Sequence, residues 1–366
     1  MQKTAKHINN LLIVFFLILL ITPTIISVFG IEGKELNTEN RNKTNFPNIK
    51  TLKNPKQYVS ILKDYYNDNF GLRQSLSNYY INFKSNRLNE SPLPNKVIIG
   101  KNGFYFLGNS FSNVVNESLG FNLFTKKELT VIKNTVLDRK KWLNDKGMKF
   151  YLAVTPNKHS VYRTNLPFNF SPKETRKQQI ITHLSKDNTI NFIDLGEQFI
   201  HKKGNHLLYR KLDSHWNNIG AFYGYQTLID AVKKDFSIEK KQLSEYKIST
   251  NLQGGDLKKM LNLSIKDTLP ILNPLNNYRI DTLNIPKFYK NKRIQNVVRF
   301  KNESKKYKVL LFRDSYTNAM IPYINQSFGT CIYVWSHRFD KEIILKEKPD
   351  IVIMEYVERY LEQIKE

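Results

Sequence analysis

The chain has 366 residues, with 57 Lys and Arg against 32 Asp and Glu, a formal charge of +25. Hydrophobic residues make up 40% and charged residues 24%, close to globular averages, so a core can form and wholesale disorder is excluded, as its length excludes a short peptide-binding module. So large a positive charge calls for a polyanionic partner: nucleic acid, anionic lipid or an acidic polysaccharide.

The segment from Leu11 to Ile31 carries no charge, and at a helical rise of about 1.5 Å per residue it covers about 30 Å of hydrocarbon. Lys3 and Lys6 precede it, while Glu32, Lys34, Glu35 and Glu39 follow. By the positive-inside rule, residues 1–10 are a cytoplasmic N-terminus, 11–31 a transmembrane signal anchor, and the remainder is exported. Export makes nucleic acid a poor partner. The rival reading is a cleaved signal peptide, with Val28 and Gly30 as small residues before a cut, although no Ala-x-Ala is present.

Residues 32–55 are rich in Asn, Lys, Thr and Glu without apolar periodicity and read as a flexible spacer. The domain then runs over 56–366. From Gln57 to Leu88 apolar residues recur at helical spacing, predicting two helices that meet near Gly71. Val97 to Leu107 gives two short β runs around Asn102-Gly103, a hairpin. Helical patterns follow over Lys126 to Lys146, Pro172 to Asp187 and Ile219 to Val232, with strands at Lys149 to Thr155 and Ile190 to Asp194. Residues 237–306, rich in Lys and Asn and poorly periodic, read as a long insertion or irregular lobe. Strands are then expected at Tyr307 to Arg313, Thr330 to Trp335 and Asp350 to Tyr356, separated by helices over Tyr316 to Gln326 and Asp340 to Glu347. Near-continuous apolar strands alternating with helices predict an α/β fold with a central parallel sheet covered on both faces. Cys331, the single cysteine, lies in an apolar strand and reads as packing.

In such a sheet, sites form beyond the carboxyl ends of the strands. Ser315 stands at a strand-to-helix turn, where it reads either as a nucleophile or as a plain N-cap. A nucleophilic serine needs an imidazole base and a carboxylate to orient it. His215 stands two residues after Asp213, just before a helix and beside Trp216. The plainer reading is a capping Asp and a space-filling His. Metal chemistry would use the same residues plus His206 or His159, but no ligand spacing supports three protein ligands. Gly254-Gly255-Asp256-Leu257 lacks the features of a phosphate loop.

Six segments, Asn67-Asp68-Asn69-Phe70-Gly71-Leu72-Arg73, Gly100 to Leu107, Thr155 to Tyr162, Asp213-Ser214-His215-Trp216, Gly255-Asp256-Leu257 and Phe312-Arg313-Asp314-Ser315, occur in this order. Together they resemble the SGNH hydrolase-like acetyltransferases of the AlgX and AlgJ family, which O-acetylate alginate in the bacterial periplasm. The resemblance implies a three-layer α/β sandwich and a catalytic triad of Ser315, His215 and Asp213. Its order is circularly permuted relative to the wider SGNH superfamily, where Ser comes first. It implies an exopolysaccharide O-acetyltransferase with a polysaccharide acceptor, acidic if the charge reports on it. The acetyl donor partner would be a multi-pass membrane O-acyltransferase, with no cofactor and no metal. Two features depart from the pattern: Arg313-Asp314-Ser315 replaces Gly-Asp-Ser, and no oxyanion Asn is assignable. The chain also ends without the C-terminal carbohydrate-binding module of AlgX, a layout nearer AlgJ. An SGNH-type esterase or deacetylase, and a non-catalytic polysaccharide-binding scaffold, are the alternative readings.

Overall fold

The computed structural model describes residues 2–29, 44–48, 54–169, 172–292, 294 and 296–366; residues 32–43 and 49–53 of the expected spacer lie outside them. The described residues form two compact units divided after Pro92, so the two helices after the spacer group with the N-terminal segment.

In the first unit, α1 (Gln2–Phe29) includes a stretch, His7–Phe29, long and apolar enough to cross a membrane, with a mean hydropathy of 2.9. Length and composition suit an anchor or a signal sequence equally. α2 (Pro55–Asn69) begins with Asn54 capping Lys56 and proline in its first turn, where a missing N–H costs nothing. It meets α3 (Arg73–Asn82) at the turn around Gly71.

The second unit is built on a seven-stranded sheet. Its strands, numbered along the whole chain, include β3 (Lys149–Thr155), β4 (Phe192–Asp194), β9 (Lys308–Arg313), β10 (Thr330–Trp335) and β11 (Ile351–Val357). These five run parallel in the order β4-β3-β11-β9-β10. Alternation of side chains divides the core into two layers. Ile351, Ile353 and Val357 of β11 join Val309, Leu311, Cys331 and Tyr333 on one face, under the helix Asn218–Val232. Val352, Met354 and Tyr356 join Leu310, Phe312, Ile332 and Val334 on the other, under the helices Lys126–Asn144, Arg176–Leu184 and Lys341–Glu347. Strands buried on both sides carry apolar residues at every position. Cys331 is buried, and burial pushes its thiol up to about 12.

Residues 237–306 are more ordered than their composition predicts. They form a long antiparallel hairpin, β5 (Tyr246–Gln253) with β6 (Asp267–Pro274). They also supply β7 (Asp281–Thr282) and β8 (Val297–Lys301), which extend the main sheet antiparallel beyond β10. All but the first residue of β5 are exposed, which hides the alternation a half-buried strand would show. The helix expected over Tyr316 to Gln326 is instead a 3-10 segment, Ser315–Ala319, followed by a single α-turn, Ile321–Ile324. Pro322 has no N–H to continue a helix from Asn318, so the chain restarts there. β1 (Val97–Ile99) and β2 (Tyr105–Leu107) pair across Asn102-Gly103, both with positive φ, as a tight hairpin turn requires.

Ile353 is fully buried in β11, between β3 and β9. Ile353→Ala should cost about 2–5 kcal/mol, measured as a lower urea midpoint with an unchanged slope.

Candidate active site

Ser315 follows β9 after one residue, Asp314, and the parallel sheet places it at the carboxyl end of the strand. Its position as helix cap is taken by its neighbour: Asp314 is the N-cap and accepts from the Tyr316 N–H at 2.8 Å. The Ser315 hydroxyl lies instead 2.8 Å from His215 Nε2. On the other side of the ring, His215 Nδ1 is 2.7 Å from Asp213 Oδ1. With the proton on Nδ1 donated to the carboxylate, Nε2 is left to accept from the serine.

Asp213 is buried and held from four directions. Oδ1 also accepts the His215 N–H at 3.0 Å, while Oδ2 takes the Asp256 N–H at 3.1 Å and pairs with Arg210 Nη1 at 2.9 Å. Burial raises the affinity of this carboxylate for a proton, but the bonds from His215 and the charge of Arg210 outweigh it and hold the group well below the usual range. Asp256 itself accepts from the Ser214 N–H at 2.7 Å and the Ser214 hydroxyl at 2.5 Å. Gly255 before it is a glycine by necessity, since a Cβ there would run into the carbonyl of Leu212. The imidazole packs 4.8 Å from the Tyr316 ring, whose hydroxyl donates to the Ser214 carbonyl at 2.7 Å. Trp216 Nε1 donates to the Tyr316 carbonyl at 2.9 Å, locking the two loops together.

Beneath these groups lies Lys158. Its amino group is fully buried and donates to the carbonyls of Tyr105 (2.6 Å), Arg210 (2.7 Å), Lys211 (2.8 Å) and Asp213 (3.0 Å). Burial pulls its proton affinity down to about 7, opposed by the charges of Asp213, Asp256 and Asp267. Behind the serine, Glu355 accepts from Thr155 Oγ1 at 2.6 Å, the Asp314 N–H at 3.1 Å and Thr317 Oγ1 at 3.1 Å. Burial, then the nearby charge of Asp314, raise the Glu355 carboxyl to about 8.

Ser315, His215 and Asp213 open into a cleft of about 470 Å³, which Asn218, Asn318 and the β6 residues Leu269, Pro270 and Ile271 help to line. The structure thus brings together the three residues singled out in the sequence. The residues proposed for metal chemistry do not join them: His159 is buried on the Leu107 carbonyl at 2.9 Å, and His206 packs near Tyr223. Single ligand atoms of Asp213, His215 and Asp256 do lie within 4.8 Å of one another. The guanidinium on Asp213 opposes a cation there. Lys158 and Asp256 lie in two of the segments that carry the family resemblance but have no individual role in the sequence reading, and Arg210 and Glu355 have none; the signal for Glu355 is a charged residue inside an apolar run, Ile351-Val352-Ile353-Met354-Glu355.

Lys158→Met should leave several carbonyls unpaired, at about 1–3 kcal/mol for each group not rescued by water, and should lower kcat more than it raises KM. Denaturant titration and kinetics on the same samples check both. Glu355 gives a pH effect of definite sign. Its carboxyl stays protonated in the folded chain between 4.5, its ordinary value, and about 8, while the unfolded chain has lost that proton, so stability falls as pH rises through this window. Glu355→Gln should flatten that fall in urea titrations at pH 5 to 8.

The family model for the SGNH hydrolase-like domain of acetyltransferase AlgX matches residues 97–297, more than half the chain, and includes Asp213 and His215 but stops before Ser315. A structure of Bacillus cereus PatB1 with a sulfonyl adduct aligns at 18% identity and TM-score 0.54, covering 72% of this chain and 97% of that one. The O-acetyltransferase domain of Pseudomonas putida AlgJ aligns at 19% identity and TM-score 0.47, covering 73% and 92%. Pseudomonas aeruginosa AlgX aligns at 14% identity and TM-score 0.46, covering 74% and 67%. No curated protein sequence matches. With its central, mostly parallel sheet between two helical layers, the chain belongs to the AlgX family of SGNH hydrolase-like acetyltransferases.

Proposed function

We propose that this protein is a membrane-anchored, extracytoplasmic O-acetyltransferase that acetylates a polysaccharide through an acetyl-Ser315 intermediate. The carrying observation is the unbroken relay of 2.7 Å from Asp213 to His215 and 2.8 Å from His215 to Ser315, opening into a cleft, in a member of an acetyltransferase family. Ser315 Oγ attacks the acetyl carbonyl carbon while its proton passes to His215 Nε2. The bond from that carbon to the donor breaks, and the leaving group takes the proton. In the second half a sugar hydroxyl gives its proton to Nε2 as its oxygen attacks the acetyl carbon. The Ser315 ester bond breaks, and Oγ regains a proton. Asp213, held anionic, keeps the imidazole in the required tautomer and stabilises its protonated form.

Under this reading α1 stays in the bilayer with Lys3 and Lys6 on the cytoplasmic side, residues 32–55 act as the spacer, and the catalytic unit lies outside. Cytoplasmic acetyl-CoA does not reach that compartment, so a multi-pass membrane O-acyltransferase supplies the acetyl group. The charge of +25 favours an acidic glycan.

Ser315→Ala should reduce turnover of a chromogenic acetyl ester by roughly three orders of magnitude or more, and a sulfonyl fluoride should add to Ser315 in the parent chain alone. Undiminished turnover in the variant would remove Ser315 from the mechanism. A second test sets water against sugar. With an acetyl donor and acidic or neutral oligosaccharides, acetylated sugar should exceed free acetate, most of all with acidic chains at low salt. Free acetate as the sole product, or deacetylation of a pre-acetylated polymer, would make the protein an esterase.

A further inference from the structure

The motif Asn67-Asp68-Asn69-Phe70-Gly71-Leu72-Arg73 takes no part in the candidate active site. Within the first unit it forms a rigid turn fastened to α1. Asp68 is buried and accepts from the N–H and the hydroxyl of Thr44 at 2.9 and 2.8 Å. The side chain of Asn69 donates to the carbonyls of Thr44 and Tyr65. Ser27 of α1 donates to the carbonyl of Asn69 at 2.6 Å. Gly71 lies so close to α1 that a Cβ would run into the carbonyl of Pro23 and touch Ile26, and Leu72 turns the chain with a φ of 64°.

This fixes the depth of the turn once α1 is placed. The apolar stretch ends at Phe29 and the uncharged run at Ile31, two and four residues past Ser27, so Ser27 lies about 3 to 6 Å inside the outer boundary. Pro23 then lies about 9 to 12 Å inside it. Asn69, bonded to Ser27, therefore sits close to the level where α1 emerges.

Near that level α3 and the π-helical turn that continues it, Phe83–Arg87, present an apolar stripe that none of the other described residues covers. Leu76, Tyr79, Tyr80 and Phe83 follow the i, i+3, i+4, i+7 pattern of one helix face. All four are exposed, Tyr79 to 72% and Leu76 to 53%, and the rings of Tyr79 and Phe83 stack at 6.4 Å. On a helical projection Arg73 falls on the Tyr80 flank of the stripe, while Lys84 is paired with Glu90 at 2.7 Å. Tyrosine and phenylalanine rings on an exposed helix face suit the membrane boundary, where aromatic side chains concentrate.

We infer that α3 and the turn that continues it form an interfacial membrane-binding element. The turn at Gly71 pins it to the outer part of the anchor, and the stripe Leu76, Tyr79, Tyr80 and Phe83 lies in the head-group boundary of a bilayer. The inference rests on the anchor reading of α1, and one experiment separates the two. Cys331 is buried, with its thiol pushed up to about 12, and does not compete for labelling. Leu17→Cys, Leu76→Cys, Tyr79→Cys and Lys186→Cys in the full chain are each given a nitroxide. They are then reconstituted in vesicles of phosphatidylethanolamine and phosphatidylglycerol. Power-saturation spectroscopy reads the accessibility of each label to oxygen, which partitions into lipid, and to a water-soluble nickel complex.

The label at Leu17 should show the highest oxygen-to-nickel ratio and that at Lys186 the lowest. Labels at Leu76 and Tyr79 should lie between them, several-fold above Lys186. If Leu17 reads as deep while both α3 labels match Lys186, the interfacial element is wrong and the anchor stands. If the α3 labels are shielded from both reagents, the stripe is covered by protein, a second copy or another chain, and the lipid assignment is overturned. If Leu17 itself reads as aqueous, the anchor fails and the interfacial assignment falls with it.

Discussion

A lysine ammonium enclosed by main-chain carbonyls is the contact on which the rest of the site is assembled. Lys158 reaches four carbonyls from two stretches of chain more than fifty residues away. A carbonyl turned inward without a donor is costly, and so is a buried cation without acceptors, so the two requirements are met together or not at all. Because the carbonyl of Asp213 is one of the four, the main chain that carries the acidic member of the relay is fixed from below. Arg210 and the Asp256 N–H then fix its carboxylate from the side, the carboxylate fixes the imidazole, and the imidazole meets the serine.

This arrangement also accounts for four of the six motif segments scattered along the chain. The hairpin at 97–107 supplies the carbonyl of Tyr105, the segment after β3 supplies Lys158, the loop before the helix Asn218–Val232 supplies Asp213 and His215, and the Gly255-Asp256 turn closes over them. Each is short and unremarkable by itself; their order in the sequence reflects one three-dimensional contact set. Ser315 arrives from another direction, on β9, and is steadied by separate buried groups: Asp314 caps its turn and Glu355 receives the Asp314 N–H. The serine and the Asp-His pair thus come from different parts of the fold and are tied together by the 2.8 Å contact between Nε2 and Oγ and by the bonds of Trp216 to the Tyr316 carbonyl and of Tyr316 to the Ser214 carbonyl.

What the sequence revealed follows from burial. β3, β9, β10 and β11 are covered on both faces, so their apolar runs identify them directly, and the Asp-x-His spacing is legible because a two-residue separation lets one loop bond to itself. Lys158, Asp256 and Glu355 are different: their partners lie about 40 to 200 residues away, and no local pattern reports such pairing. Ser315 was ambiguous for a related reason. A serine after a strand fits a cap as well as a nucleophile, and only the side chain of Asp314, which takes over the capping bond, frees it. In 237–306 the misleading signal was exposure: β5 shows solvent-facing residues along almost its whole length, so a regular hairpin carries the composition of a loop.

That poorly legible hairpin bears on acceptor choice. The relay itself is common to hydrolysis and transfer; whether water or sugar takes the acyl group depends on what is held against the acyl carbon, where positioning is worth several kcal/mol. β6 provides that surface, with Leu269, Pro270 and Ile271 in the cleft wall and Leu272 anchored in the core beneath, while Asp267 binds the Lys211 N–H beside the carbonyls gathered on Lys158. One side of the hairpin is therefore tied to the catalytic framework, and the other is open to solvent. Under the proposed function, substitutions on the open side would change which glycan is presented without moving Asp213, His215 or Ser315. Under the proposed acetyl transfer, reacting groups fixed by buried, long-range bonds and a cleft wall of half-buried β6 residues backed by the exposed strand β5 would let one framework serve different polymers, which is why the chemistry of this chain is easier to read than the identity of its acceptor.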